Sequence, residues 1–170
     1  TANKVTNAFD DTITVSYKVD GDWQYHEFSC TTDPGTHWVE NVLNEDGVAI
    51  LVPGQYSRSH KIRKHKGKYE ALGQQNPVSV YRDNNRDDIY QMNTESIDTG
   101  LFGINIHRAT AKVGKTSTQV DKWSAGCQVI ASNDDFKLFM KICKKARDIW
   151  SNNFTYTLLN SKEIPTSWLS

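Results

Sequence analysis

The sequence predicts a mainly β or α+β domain, and three observations lead to that prediction. Residues 12–30 alternate apolar and polar side chains on either side of an Asp-Gly pair, which is the pattern of a β-hairpin. Several short apolar runs then end at clusters of Pro, Gly or Asn, as strands commonly do. Only residues 131–150 repeat their apolar side chains at helical spacing. We therefore expect many strands and one long helix.

The first element is the hairpin itself. Ile13, Val15, Tyr17 and Val19 alternate with polar residues along its first strand. Asp20-Gly21 follows, and both residues tolerate the positive φ angles of a type I′ turn. The chain is therefore predicted to open with two antiparallel strands.

The elements that follow are shorter. A turn at Asp33-Pro34-Gly35 precedes a short predicted helix, for which Thr36 is the candidate cap. The remaining predicted strands are residues 48–56, a buried strand ending at Pro53-Gly54; 77–83; 100–109, a mostly apolar central strand with His107 near its C-terminal end; and 154–159, the last strand.

Residues 131–150 are predicted to form the long helix. Asn133 is the candidate N-cap, and Asp134 and Asp135 complement the positive end of the helix dipole. An apolar stripe runs along one face and includes Cys143. We therefore expect Cys143 to be a small core residue and not a reactive thiol.

Length and charge limit the classes of function. The 170 residues suit a single domain, spanning 1–170, with a proper hydrophobic core. Twenty basic and twenty acidic residues give a net charge of zero, so we expect no nucleic acid partner drawn by a global field. No apolar run approaches the ~20 residues of a transmembrane helix, so we expect no membrane span. We expect a monomer.

One segment departs from this charge balance. Residues 57–70 carry six lysine and arginine side chains and two histidines. The segment could be a solvated loop or an exposed strand face. It could also be a contact surface for a polyanion such as teichoic acid, a phosphorylated glycan or nucleic acid, and the sequence leaves these alternatives open.

The cysteines indicate neither a disulfide framework nor a metal site. Cys30, Cys127 and Cys143 are an odd number of thiols without metal-ligand or CxxC spacing. The chain also lacks an HExxH motif, and its histidines do not pair with carboxylates at ligand spacing. We therefore expect no metal and no other cofactor, which leaves a nucleophilic cysteine as the chemistry to consider.

Cys127 and His107 are the candidate catalytic pair. A cysteine nucleophile needs a histidine to take its proton, because a free thiol has a pKa of ~8.5 and is mostly protonated at neutral pH. His107 is the best placed of the five histidines, since it ends an apolar strand that would hold it rigidly near the surface. Asp121 is a possible orienting partner for His107.

The residues around Cys127 suit an oxyanion-binding loop. Ser124, Ala125 and Gly126 directly precede the cysteine. Gly126 lets the backbone approach a substrate closely, and the amides of Gly126 and Cys127 could both point at one carbonyl oxygen. Ser124 could orient the loop or touch the substrate, and Trp123 could stack on the substrate or fill the core.

The segments INIHRA and SAGCQV, in this order, resemble the catalytic motif of the L,D-transpeptidase domain of the YkuD type. That motif has a histidine, a gap of similar length, and then Ser/Thr-His-Gly-Cys. The match covers residues 103–131. It implies a β-sandwich or barrel with one long helix after the catalytic cysteine, with Cys127 as nucleophile and His107 as base.

Two positions depart from that motif. Ala125 stands where the family has histidine, and Val129 stands where it has asparagine or arginine. The first change removes a side chain but keeps the backbone amide, whereas the second removes a contact to a substrate carboxylate or to the loop. Arg108 is the candidate substitute for that cation at the mouth of the site.

The phrases VPGQY, HKGKYEAL, VYRDNNRDD and GINIHRA are similar to segments of small bacteriophage proteins that carry this domain. The resemblance implies that bacterial peptidoglycan is the partner, and that its stem peptides are cleaved through an acyl-enzyme on Cys127, as in endolysin-like lysis. It implies action at the cell wall or periplasm, after synthesis in the cytoplasm of an infected host or carriage in the virion, since no signal segment is visible. Two alternatives stay open: a transpeptidase that exchanges or cross-links stem peptides, and a non-catalytic wall-binding or virion module.

Overall fold

The predicted hairpin opens the structure. In the computed structural model, which describes residues 4–164, β1 (Asp11–Val19) pairs antiparallel with β2 (Asp22–Thr31). Asp20 and Gly21 form the turn with φ angles of 51° and 92°, so both central residues have the positive φ that a type I′ turn requires. The prediction for this element is confirmed.

The larger of the two described sheets has seven strands. The strands that follow the hairpin are β3 (Val48–Leu51), β4 (Gly54–His65), β5 (Tyr69–Gln74), β6 (Val78–Asp83), β7 (Ile97–Gly100), β8 (Ile106–Arg108), β9 (Gln128–Ile130) and β10 (Phe154–Leu158). The large sheet has the order β1-β2-β9-β8-β5-β4-β10. Its neighbours are antiparallel except β8 and β9, which are parallel. The parallel pair therefore lies in the middle of the sheet.

A second sheet of three strands, in the order β3-β6-β7, packs beside the first. Leu51, Val78 and Val80 of this sheet are buried and pack with Ile104, which lies just before β8. This contact joins the small sheet to the centre of the large one. Two 3₁₀ helices, Thr94–Ser96 and Ser161–Glu163, complete the described elements.

The short predicted helix is α1 (Thr36–Glu40), but the expectation that Thr36 caps it is wrong. Gly35 is the N-cap and makes no side-chain cap, so Thr36 is already the first helical residue. A Cβ at Gly35 would overlap the backbone of Asp121, so a capping side chain cannot stand there. Because Gly35 packs directly against the loop that contains Asp121, the capping preference of Thr36 does not determine where the helix begins.

The long helix is α2 (Asn133–Ile149), and it covers the core of the large sheet. Phe136, Phe139 and Met140 are buried with Cys143, whose exposed fraction is 5%, so Cys143 is a core residue as predicted. Ser132, and not Asn133, is the N-cap, since its hydroxyl accepts a hydrogen bond from the Asp135 amide.

Two further expectations are refined. The strand predicted over residues 100–109 is interrupted, because β7 ends at Gly100 and only Ile106–Arg108 join the large sheet, at its central position. The basic segment 57–70 is not a loop. It runs from β4 into β5 through a turn at Lys66-Gly67, where both φ angles are positive.

The prediction of a mostly β structure with one long helix is confirmed. Within residues 4–164, the helices are too short or too polar for any of them to cross a membrane.

Candidate active site

Cys127 and His107 line the same cleft, which has a volume of about 460 Å³. His107 is the middle residue of β8, and Cys127 directly precedes β9. In the parallel register, Ile106 pairs with Gln128 and His107 pairs with Val129. Because the two strands start at the same edge of the sheet, the thiol and the imidazole reach the cleft from neighbouring backbones.

The backbone before Cys127 requires a glycine. Gly126 has a φ of +127°, and a Cβ there would overlap the carbonyl oxygen of Ala49 in β3. The small sheet therefore packs directly against this loop. The loop is held from within by Ser124, whose hydroxyl donates to the carbonyl of Cys127 at 2.7 Å and accepts from the Gly126 amide at 3.1 Å.

These contacts favour ordering of the loop over contact with a substrate as the role of Ser124. Its side chain is buried and orders the loop, so it is not exposed to a substrate. Because the Gly126 amide already donates to Ser124, that amide is not available to an oxyanion in this conformation. The backbone amide of Cys127 remains the candidate donor.

The Cys127 thiol lies among backbone groups. Its Sγ donates to the carbonyl of Gly103 at 3.3 Å. Burial raises the pKa of Cys127, and the Asn105 amide and the positive charge of Lys66 oppose that effect. Burial thus favours the protonated thiol in this structure.

His107 is held as a neutral base. Its exposed fraction is 5%, and its Nδ1 lies 3.0 Å from the carbonyl of Arg108. Since a carbonyl can only accept, Nδ1 carries the proton and Nε2 keeps its lone pair. Burial lowers the pKa of His107 to about 4, while the Arg108 carbonyl opposes that shift. The imidazole of His65 stacks on it with ring centroids 4.4 Å apart.

Gln74 shapes the loop that faces the thiol. Its side-chain oxygen accepts from the amides of Phe102 and Ile104, and its side-chain nitrogen donates to the carbonyls of Gly100 and Asn76. Its backbone amide also donates to the Asn105 side chain at 2.9 Å. The loop before β8 therefore bonds to a side chain of β5 instead of extending as a strand.

Gln128 has a similar role on the other side of Cys127. It is fully buried in β9, and its side-chain nitrogen donates to the carbonyls of Gly126 and Thr32. Its side-chain oxygen accepts from the hydroxyl of Tyr156 at 2.9 Å. Sequence reasoning missed both glutamines. Gln128 stands between Cys127 and Val129, and a glutamine between apolar strand residues is a signal that a buried backbone group needs a partner, whereas Gln74, between Gly73 and Gln75, gives no such signal.

The remaining candidates occupy different positions. Trp123 and Ala125 line the cleft, and the exposed fraction of Trp123 is 46%, which favours contact with a ligand over a core role.

Arg108 is not among the described residues that line the cleft. Its guanidinium stacks on Tyr69 at 4.2 Å and donates to Asn133 of α2. Val129 is fully buried.

Asp121 does not orient His107. Its carboxylate accepts a hydrogen bond from the side chain of Asn7, and Nδ1 of His107 bonds to backbone instead. A backbone carbonyl performs the orienting role for which the sequence suggested a carboxylate.

The β4–β5 hairpin supplies a wall of the cleft that the sequence did not assign to the site. Arg63, Lys64, His65 and Lys66 all line the cleft with Cys127. Their proximity to Cys127 depends on the order of strands in the sheet, in which β5 lies between β4 and β8. No local pattern around residues 63–66 carries that information.

The other two thiols lie in the interior of the protein. Cys30, Cys127 and Cys143 are all free thiols, and Cys30 and Cys143 are buried. Among residues 4–164, no group of three His, Cys, Asp or Glu side chains is arranged to hold a metal ion.

No family model matches the sequence, and no curated protein or solved structure matches the chain. The function has to be inferred from the residues and the geometry of the site.

Proposed function

We propose that the protein is a cysteine peptidase that cleaves the stem peptides of bacterial peptidoglycan, with a catalytic domain of the L,D-transpeptidase (YkuD) type. One observation carries the proposal: Cys127 and His107 reach one cleft from the two parallel strands at the centre of the sheet. The motif that links INIHRA to SAGCQV supplies the substrate class, and its likeness to phage proteins favours cleavage of the wall over cross-linking.

The first half of the reaction forms an acyl-enzyme. Nε2 of His107 removes the proton of the Cys127 thiol as Sγ attacks the carbonyl carbon of the peptide bond. To do so the thiol leaves the carbonyl of Gly103, to which it donates in the resting structure. The oxyanion accepts from the Cys127 amide, and the departing amine takes the proton from His107, which leaves a thioester on Cys127.

The second half releases the acyl group. A water molecule loses a proton to Nε2 of His107 and attacks the thioester carbonyl. The carbon–sulfur bond breaks, the proton returns to Sγ, and the product leaves as a carboxylic acid. An amine in place of water would instead yield a new amide, which is the transpeptidase reaction.

A neutral imidazole on His107 and a protonated thiol on Cys127 are the starting states that these steps require. The low pKa of His107 keeps its lone pair available at neutral pH, and the raised pKa of Cys127 keeps the thiol protonated until a substrate is bound. Trp38 and Trp123 line the cleft and offer apolar surfaces to the substrate backbone.

The proposal is tested on purified muropeptides, with tetrapeptide monomers and cross-linked dimers supplied together and the products read by mass spectrometry. We expect loss of the terminal D-alanine or splitting of the dimers. The same reaction is repeated with a D-amino acid in excess. Exchange products in place of hydrolysis would show a transpeptidase, and the absence of any product would favour the non-catalytic wall-binding module.

A further inference from the structure

The charge of the cleft differs from the charge of the chain. The chain has twenty basic and twenty acidic residues. The cleft, in contrast, is lined by four cationic side chains and by no Asp or Glu among the described residues; the four are Arg63, Lys64, Lys66 and Lys122. A neutral protein has therefore concentrated positive charge at one concave site, which raises the local concentration of anionic ligands.

None of these cations forms a salt bridge in the part of the chain that the structure describes. The salt bridges formed there involve other basic residues, namely Lys4, Arg82, Lys137, Lys144 and Arg147. Glu70 lies opposite Lys64 in the β4–β5 register and bonds to Lys144 of α2 at 2.7 Å, so the charge of Lys64 is partly compensated. The charges of Arg63, Lys66 and Lys122 are left for a ligand.

Two of the cations are set in place by the backbone. Arg63 lies across Gly73 of the neighbouring strand, where a Cβ would overlap its guanidinium and its methylene groups. Lys66 occupies the turn between β4 and β5 with a φ of 48°. Lys66 lines the cleft together with Cys127 and His107, and its charge acts on both side chains.

The cleft also has an apolar component, which limits the choice of anion. Trp38, Trp123, Phe102 and Leu43 line it together with the cations. A polyphosphate chain would use the charges but not these surfaces. A peptide that carries carboxylates would use both, because guanidinium and ammonium groups bind carboxylates while aromatic rings pack on the peptide backbone.

Resting on the proposed function, we infer that the cleft selects stem peptides whose carboxylates are free over stem peptides whose carboxylates are amidated. The relevant groups are the α-carboxylate of the stem glutamate and the side-chain carboxylate of diaminopimelate. Amidation replaces each anion with a neutral group of nearly the same shape, so the discrimination is electrostatic.

Binding and turnover are measured separately. The full chain carrying Cys127→Ala is titrated with a free tetrapeptide and with its doubly amidated counterpart at low ionic strength, and the wild type is assayed for products from both. We expect amidation to weaken binding by about tenfold or more, since hydrogen bonds to charged groups are stronger than neutral ones. The preference should shrink as salt is added.

Charge-removing variants assign the preference to the cleft. Lys66→Gln and Lys122→Gln, each combined with Cys127→Ala, should bind the free peptide more weakly and the amidated peptide almost unchanged. Lys61→Gln is the matched control, because Lys61 lies on β4 but is not part of the described lining. It should keep the full preference.

The outcomes separate this inference from the proposed function. Preferential binding of the free peptide without any product would overturn the peptidase and leave the selectivity standing. Cleavage of both peptides with equal affinity would overturn the selectivity alone. Three other results would each overturn the inference. The preference for the free peptide could be lost equally in Lys61→Gln and Lys66→Gln. The protein could bind neither peptide, or it could bind polyglycerol phosphate in place of both.

Discussion

Burial sets the protonation of His107 and Cys127, the two side chains proposed to react, before a substrate arrives. His107 is buried and Cys127 is half-buried, and burial disfavours the charged form of each, so the pKa of the imidazole falls while that of the thiol rises. A preformed thiolate–imidazolium pair is therefore disfavoured. Proton transfer has to accompany attack on the substrate.

This protonation state predicts the acid limit of activity. Because His107 has to be neutral and its pKa is lowered to about 4, kcat/KM should stay nearly constant between pH 7 and pH 5 and fall as the pH passes below 4. The measurement is kcat/KM for stem-peptide cleavage against pH, with circular dichroism to confirm that the protein stays folded. His107→Asn should abolish cleavage. An acid limb centred near pH 6.5 would contradict this account.

Gly126 is the residue at which local backbone and tertiary packing both demand glycine. Gly126→Ala should destabilise the protein by roughly 2 kcal/mol or more, because it adds a strained positive φ to an overlap with the Ala49 carbonyl. It should also abolish cleavage. Gly21→Ala is the control, since Gly21 has a positive φ of 92° but open space around its Cα.

Urea unfolding and cleavage rates of the two variants check this prediction. Gly21→Ala should lose about 1 kcal/mol and keep its activity. Equal effects of the two substitutions would show that the packing of Gly126 on β3 is unimportant.

Two buried glutamines connect strands of the large sheet to the loops beside Cys127. Gln74 of β5 holds the loop before β8, and Gln128 of β9 holds the loop before Cys127. Each satisfies backbone groups that a sheet ladder would otherwise satisfy. The two loops are thus irregular, and side chains satisfy several of their backbone groups.

Gln74→Leu should therefore affect both stability and catalysis. The amides of Phe102 and Ile104 would lose their acceptor, at a cost of about 1–3 kcal/mol for each group left buried without a partner. We expect a lower free energy of unfolding in urea and a reduced kcat, since Gly103 would no longer be fixed beside Cys127. Gln55→Leu, an exposed position of β4, should change neither by much. A fully active and stable Gln74→Leu variant would remove the positioning role.

Local signals determined which elements could be predicted. The hairpin turn at Asp20-Gly21 and the apolar stripe that contains Cys143 depend on neighbouring residues alone, and both predictions are confirmed. The cap at Thr36 and the strand over residues 100–109 failed, because the backbone of Asp121 and the side chain of Gln74 decide those positions. Both partners are distant in sequence.

The same distinction holds for the site. Gly126 and Cys127 are adjacent in sequence, and their spacing from His107 matches a motif, so they could be named in advance. His65 and Lys66 could not, because they reach the cleft only through the order of β4, β5 and β8 in the sheet. Strand order is a property of the whole chain.

For the whole molecule, buried ionisable groups make stability depend on pH. Burial lowers the pKa values of His60 and His107 to about 4 from 6.5, so between these values the unfolded chain binds more protons and stability is lost as the pH falls. Asp33 acts in the opposite direction. Burial raises its pKa to about 7, so its contribution is lost as the pH rises towards that value.

His60 and His107 thus oppose one carboxyl group in the window from pH 6.5 to pH 4, and His65, whose pKa burial also lowers, acts in the same direction as the two histidines. We expect the free energy of unfolding in urea to fall by at least roughly 1 kcal/mol per pH unit across it, which corresponds to about one proton or more taken up on unfolding. Asp33→Asn removes the opposing group and should steepen the dependence. A flat profile, or a shallower one in Asp33→Asn, would contradict the protonation states assigned here.

Under the proposed function Cys127 is the nucleophile of a peptidase, whereas Cys143 is a buried core residue. The most direct measurement is the rate of muropeptide cleavage by wild type, Cys127→Ala and Cys143→Ala, each with its free energy of unfolding. We predict that Cys127→Ala abolishes cleavage while remaining as stable as wild type to within about 1 kcal/mol, since its thiol contacts backbone and the cleft. Cys143→Ala should cleave normally but lose about 1 kcal/mol of stability to a small cavity. Cleavage that persists in Cys127→Ala would contradict the account.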